Sequence, residues 1–238
     1  MDEREDNFVN FILTCIVGLY LIYLILVTAL LFCCDNKFSE KWYIPLKTAS
    51  SLCFVPMGLA YLEFSVMYRD VSFSALGALI ACAVGDIFLG FYNQRKKKRY
   101  FAIGMGSFVV GHLFFILALN LYWYQWKIEN YLIPLCVVLL FFAIKKNAHI
   151  HMGRLTYFCA AYAFIMSAMV TKAITNHWAF KYPETGLWAT GGLLFLASDA
   201  LLMFLYFYHF KDIKQKRLIH RLNLLTYYAA IFCFCLIV

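Results

Sequence analysis

Residues Val71–Tyr92 read VSFSALGALIACAVGDIFLGFY, and Asp86 is the sole charge among them. At 1.5 Å per residue a helix over this stretch is about 33 Å long, which matches the roughly 30 Å hydrocarbon core of a bilayer. The stretch therefore reads as a membrane span that carries a carboxyl group. The pattern recurs in Gly191–Phe207, GGLLFLASDALLMFLYF, where Asp199 is the lone charge. A charged side chain deep in a span costs at least ~2.5 kcal/mol on insertion scales, so such residues face a cavity or a partner.

Composition extends the membrane reading to the whole chain. Of 238 residues, 64% are hydrophobic and 14% charged, against about half and a quarter in soluble domains. The expected fold is all-α: a polytopic integral membrane protein forming one transmembrane helical domain over residues 1–238. The net charge of +8 does not point to nucleic acid, because the basic residues cluster in short loops between apolar runs. The nine cysteines show neither CxxC nor Cys/His ligand spacing, so no metal is expected and most read as small apolar helix filler. Cys33–Cys34, at a helix end, is a palmitoylation candidate. The acidic start, MDEREDN, is unlike a cleavable signal peptide.

Eight spans are expected, near 8–34, 45–68, 71–92, 100–124, 131–144, 155–175, 186–210 and 218–238. The fifth is short enough to be re-entrant. Basic residues decide the matter: with eight crossings the odd-numbered loops hold 15 Lys and Arg, and the N-terminus with the even loops holds 5. Without the fifth crossing the split is 9 against 11. The positive-inside rule thus favours eight spans, with both termini lumenal or extracellular.

Orientation fixes depth. Asp86 lies about 10 Å from the cytosolic end of its span, and Asp199 and His112 about 18 Å. Lys47, Ser50, Ser51, Tyr162, Asn223, Thr226 and Tyr227 share the cytosolic half, while Glu63 lies toward the other side. Each has an ordinary alternative. Lys47 can snorkel, His112 can be a satisfied interior histidine, and Tyr227 and Tyr228 can be packing aromatics. His149 and His151 are loop histidines by default, and the RKKKR run at 95–99 is first a topology signal.

Two buried carboxyls at similar depth can divide acid and base roles, since burial and a like neighbour both disfavour ionisation. The chemistry that suits them begins with proton transfer and passes through a cationic or tetrahedral species. No GxSxG elbow, HExxH or P-loop is present.

The motifs SALGALIACAVGDIFLG, YFAIGMGSFVVGHLFFILAL, YAFIMSAMV, GGLLFLASDALLMF and LLTYYAA resemble, in order and spacing, the YhhN-like family of membrane proteins. Characterised eukaryotic members are lysoplasmalogenases. The resemblance implies an enzyme of the endoplasmic reticulum that hydrolyses the vinyl ether of 1-alkenyl lysophospholipids with a choline or ethanolamine head. It needs no cofactor, and its site opens toward the cytosolic half. The family's two acidic positions map onto Asp86 and Asp199. Lys47, His112, Tyr162, Ser198, Asn223, Thr226 and Tyr227 become supporting candidates. Lys47 departs from the family habit of a proline soon after the lysine: here Pro45 precedes it. Expected partners are the lysophospholipid substrate and membrane lipids.

Three other readings compete. Intramembrane aspartyl proteases also use two helix-borne aspartates, but Ala83 stands where their GxGD motif has glycine, and the four prolines offer no PAL motif. A proton-coupled carrier uses intramembrane aspartates as relays, often with inverted repeats and broken helices, neither of which is expected here. The third is a non-catalytic lipid-binding protein.

Overall fold

The computed structural model describes residues 3–33, 40–62 and 69–237. Nine helices are present among them: α1 (Glu3–Cys33), α2 (Glu40–Leu52), α3 (Phe54–Leu62), α4 (Arg69–Arg95), α5 (Lys98–Tyr122), α6 (Glu129–Asn147), α7 (Leu155–Phe180), α8 (Pro183–Phe207) and α9 (Ile213–Cys235). Six are long and apolar enough to cross a membrane: residues 12–33 of α1, then α4, α5, α7, α8 and α9. Their outer faces carry large apolar side chains such as Val17, Ile25, Leu117 and Leu193 in the open, as helices facing lipid do. Glu63 and Cys34 lie outside the described residues.

Two boundaries differ from the sequence-based expectation in ways that matter for the site. The second span was expected to be one continuous helix without a break. Instead it is interrupted at Cys53, between α2 and α3. Pro56 explains the interruption, because it has no N–H to give the Leu52 carbonyl one turn earlier. The second difference concerns depth. α4 continues three residues beyond Tyr92 to Arg95, and α8 stops at Phe207 rather than Phe210. Asp86 and Asp199 therefore stand about 13 and 12 Å from their helix ends, not at clearly different depths. α8 ends where Tyr208 turns to extended backbone, and α9 starts at its own cap, the Asp212 carboxylate accepting from Lys214 N at 2.8 Å.

Glycine sets the close approach of α4 and α5. A Cβ at Gly85 would lie 2.8 Å from the Phe108 ring and 3.1 Å from the Gly104 carbonyl, and one at Gly104 would lie 3.1 Å from the Gly85 carbonyl. Small residues let two helix backbones approach this closely within a membrane. Gly111 repeats the device one layer on, against Cys82 Sγ at 3.1 Å and the Ala78 carbonyl at 3.3 Å. Gly191 does the same between α8 and α9, facing the Phe234 ring at 2.8 Å.

The main core joins α1 to α5 and α7 to α9 through Tyr23, Phe54, Phe115, Phe195, Tyr228 and Phe234, each at most 1% exposed except Tyr228 at 2%. A smaller second core, built on Phe141, Ile150, Met152 and Ala160, holds α6 and the following loop to α7 and α8.

Candidate intramembrane acid site

The glycine contacts decide where the acids point. Asp86 follows Gly85, so the residue that presses α4 onto α5 is next to the one that reaches toward α2. There Lys47 Nζ lies 3.0 Å from Asp86 Oδ1, and Ser51 Oγ donates to Oδ2 at 2.7 Å. Lys47 and Ser51 are four residues apart on α2 and share one face. The Lys47 carbonyl, 2.9 Å from Ser51 Oγ, is the alternative acceptor. The Tyr227 and Tyr228 hydroxyls are buried against this pair, Tyr227 toward Asp86 and Tyr228 toward Ser51. Tyr23 closes this rim by donating to the Tyr228 carbonyl at 2.7 Å.

Asp199 has a different set of neighbours. Its Oδ2 accepts a short hydrogen bond from the Tyr162 hydroxyl. That same hydroxyl is 2.9 Å from His112 Nε2, and Nε2 is 3.8 Å from Asp199 Oδ2. Tyr162 has one proton to give. If it goes to an ionised Asp199, His112 Nε2 is the donor to Tyr162, and His112 Nδ1, buried without a hydrogen-bond partner among the described residues, is bare. If Asp199 holds the proton, the chain of donation reverses and Nδ1 carries the hydrogen. The second state holds one proton more than the first, so a proton taken up at Nδ1 together with two hops along the chain converts one into the other, and the three side chains form a relay.

An aromatic wall separates the two clusters. Phe195 sets its ring 4.8 Å from His112 on one side and 5.3 Å from Tyr227 on the other. Phe108 completes it, 6.0 Å from Tyr227.

The remaining candidates divide. Ser198 and Asn223 bond each other rather than an acid: Asn223 Nδ2 donates to the Ser198 carbonyl at 2.8 Å, and Ser198 Oγ donates to the Asn223 carbonyl at 3.1 Å. They staple α8 to α9 beside Asp199. The Thr226 hydroxyl turns back to its own helix, onto the Leu222 carbonyl at 2.8 Å. Lys47, His112 and Tyr162 are each joined to an acid, and Tyr227 borders Asp86.

A cavity of about 250 Å³ between α5, α6, α7 and α8 meets Asp199 but not Asp86. Its walls are apolar, including Met105, Phe141, Met166 and Leu196, and its polar edges are Asp199, Tyr162 and Tyr206. Asp199 is 11% exposed at its side chain and Asp86 2%. Tyr206 was not singled out in the sequence. The available signal is spacing: it lies seven residues after Asp199, on the same helix face.

A bundle of apolar helices, with two interior carboxyls, one ion-paired and one facing an apolar cavity, defines a polytopic membrane protein with an intramembrane acid site. Within that class the chain belongs to the YhhN family, whose model matches residues 42–238. No curated protein and no solved structure matches it.

Proposed function

We propose that this protein is a lysoplasmalogenase, which cleaves the vinyl ether of 1-alkenyl lysophospholipids to a fatty aldehyde and a glycerophospho-choline or -ethanolamine. The observation that carries the reading is the cavity, whose apolar walls suit a single hydrocarbon chain and which presents one carboxyl, Asp199, backed by the Tyr162–His112 relay.

The relay suggests which acid does what. Asp199, as the carboxylic acid, donates its proton to the vinyl β-carbon, and the ether oxygen lone pair generates an oxocarbenium ion. The resulting carboxylate takes a proton from water as the water oxygen bonds to the cationic carbon. The hemiacetal then collapses, its hydroxyl proton passing to the departing glycerol oxygen, which leaves aldehyde and alcohol. Tyr162 and His112 hold Asp199 in position and exchange its proton. Asp86, ion-paired with Lys47, is the fixed carboxylate and acts on the developing cation through the wall.

The same reading places one eight-crossing domain in the endoplasmic reticulum membrane. α2 with α3 and α6 supply the two further crossings, both termini are lumenal, and the site lies in the cytosolic half. At 19 residues, α6 is about 28 Å long, near the core thickness.

Purified protein incubated with a 1-alkenyl lysolipid is expected to release free aldehyde by mass spectrometry. The alkyl-ether analogue, with no double bond to protonate, is expected to stay intact. Absence of aldehyde from folded wild-type protein would refute the reading. A proton-coupled carrier is the second reading, favoured by the interruption at Cys53 beside Ser51. Uptake into liposomes driven by a pH gradient, without chemical change, would select it.

A further inference from the structure

A polar ladder that the mechanism does not use leads from the start of α9 down to the Lys47–Asp86 pair. Lys216 is exposed, and His220, one turn further along α9, is half-buried. His220 Nε2 lies 3.2 Å from the Tyr43 hydroxyl on α2, and Tyr43 precedes Lys47 by one turn. The Tyr206 hydroxyl on α8 donates to Asn93 Oδ1 at 3.1 Å, and Asn93 follows Asp86 by two turns on the same face of α4, while the Tyr206 ring lines the Asp199 cavity.

The charges and donors of this ladder suit an anion. It contains two ammonium groups and one carboxylate, Asp86. Of the three N–H donors on Lys47, one is directed at Asp86. A phenol and an imidazole stand beside the others. The ladder is also the right distance from the acid. Tyr206 follows Asp199 by seven residues, about 10 Å along α8. In an extended 1-alkenyl lysophospholipid the vinyl β-carbon and the phosphorus are about seven bonds apart, or about 8 Å at roughly 1.2 Å per bond. A hydrogen bond at either end makes up the difference.

We propose that Tyr43, Lys47, Lys216 and His220 bind a phosphate ester beside Tyr206, while its alkenyl chain occupies the cavity at Asp199. The assignment of the ester to the substrate rests on the lysoplasmalogenase reading; the phosphate site itself rests on the ladder.

The test uses the purified full chain and the variants Tyr43→Phe, His220→Gln and Lys216→Gln, singly and combined, each first shown to unfold at the wild-type temperature. Turnover is compared on a 1-alkenyl lysophosphatidylcholine and on a 1-alkenylglycerol, which has no phosphate. The expected result is a KM for the lysolipid about tenfold higher in the combined variant, the loss of one charge-assisted contact, with kcat and the alkenylglycerol kinetics held. Equal changes on both substrates, or none on either, would overturn the site. A second measurement does not need turnover: thermal stabilisation by an alkyl-ether lysophosphatidylcholine, an alkylglycerol and inorganic phosphate. Greater stabilisation by the lysolipid than by the alkylglycerol, lost in the combined variant, supports an ester-head site even if wild-type protein hydrolyses nothing. Stabilisation by phosphate alone, lost in the same variant, supports a site that accepts the free anion. Identical stabilisation of wild-type and variant protein by every ligand overturns it.

Discussion

Lys47 and Asp86 meet at 3.0 Å inside the bundle, with side chains 9% and 2% exposed. A buried pair of this kind is costly to break, because removing one partner leaves the other charge unpaired. Lys47→Met or Asp86→Asn alone is expected to cost about 3 kcal/mol of stability. The double variant is expected to recover most of that while remaining inactive. Thermal unfolding in detergent checks this, and single variants as stable as the double one would mean the pair carries no such penalty.

Tyr162 offers a cleaner separation of chemistry from folding. Tyr162→Phe keeps the ring and deletes the hydroxyl that links His112 to Asp199. Expected is a fall in kcat of about 100-fold with KM little changed. His112→Gln is expected to lower kcat less, since Asp199 keeps its Tyr162 bond. Steady-state kinetics on an alkenyl lysolipid would read both, and an unaltered kcat in Tyr162→Phe would remove the relay from the mechanism.

Gly85 and Gly104 test whether the helix approach places Asp86. Each lacks room for a Cβ, whereas one at Gly106, on the same helix as Gly104, would meet nothing within 4 Å among the described residues. Gly104→Ala is therefore expected to destabilise by about 1–3 kcal/mol and to depress activity further by moving Asp86. Gly106→Ala is expected to behave as wild type. Equal stability of the two variants would show that α4 and α5 yield freely.

Lys172 holds the far end of the bundle. It is fully buried, donates to the Gln125 carbonyl at 2.5 Å, and sits 4.8 Å from the Trp123 ring centroid and 5.7 Å from that of Trp126. Lys172→Ala is expected to release the loop between α5 and α6, at a cost of about 2 kcal/mol from the lost cation–π and hydrogen-bond contacts. Hydrogen exchange should rise over residues 123–128, while kcat per folded molecule is retained. Unchanged protection of that loop would show that the lysine does not hold it.

Much of the architecture is legible in the residues because a bilayer demands long apolar runs. Asp86 and Asp199 are legible because single charges stand out in such runs. The partners of each acid are not, since they depend on how far each helix is rotated and how closely its neighbour approaches. Ser198 and Thr226 look like site residues by depth, yet one joins two helices and the other bonds its own backbone. Tyr162 shares their depth and does meet an acid. The distances of the two aspartates from their helix ends are not legible either, because apolar runs mark the hydrocarbon zone while α4 runs past its apolar stretch to Arg95 and α8 stops short at Phe207.

The reciprocal bonds between Ser198 and Asn223, with Phe234 seated against Gly191, make α8 and α9 one mechanical piece. Pulling on the C-terminal segment then also drags Asp199, the residue after Ser198. A bulky C-terminal fusion is thus expected to disturb that carboxyl, and tags for purification belong elsewhere on the molecule.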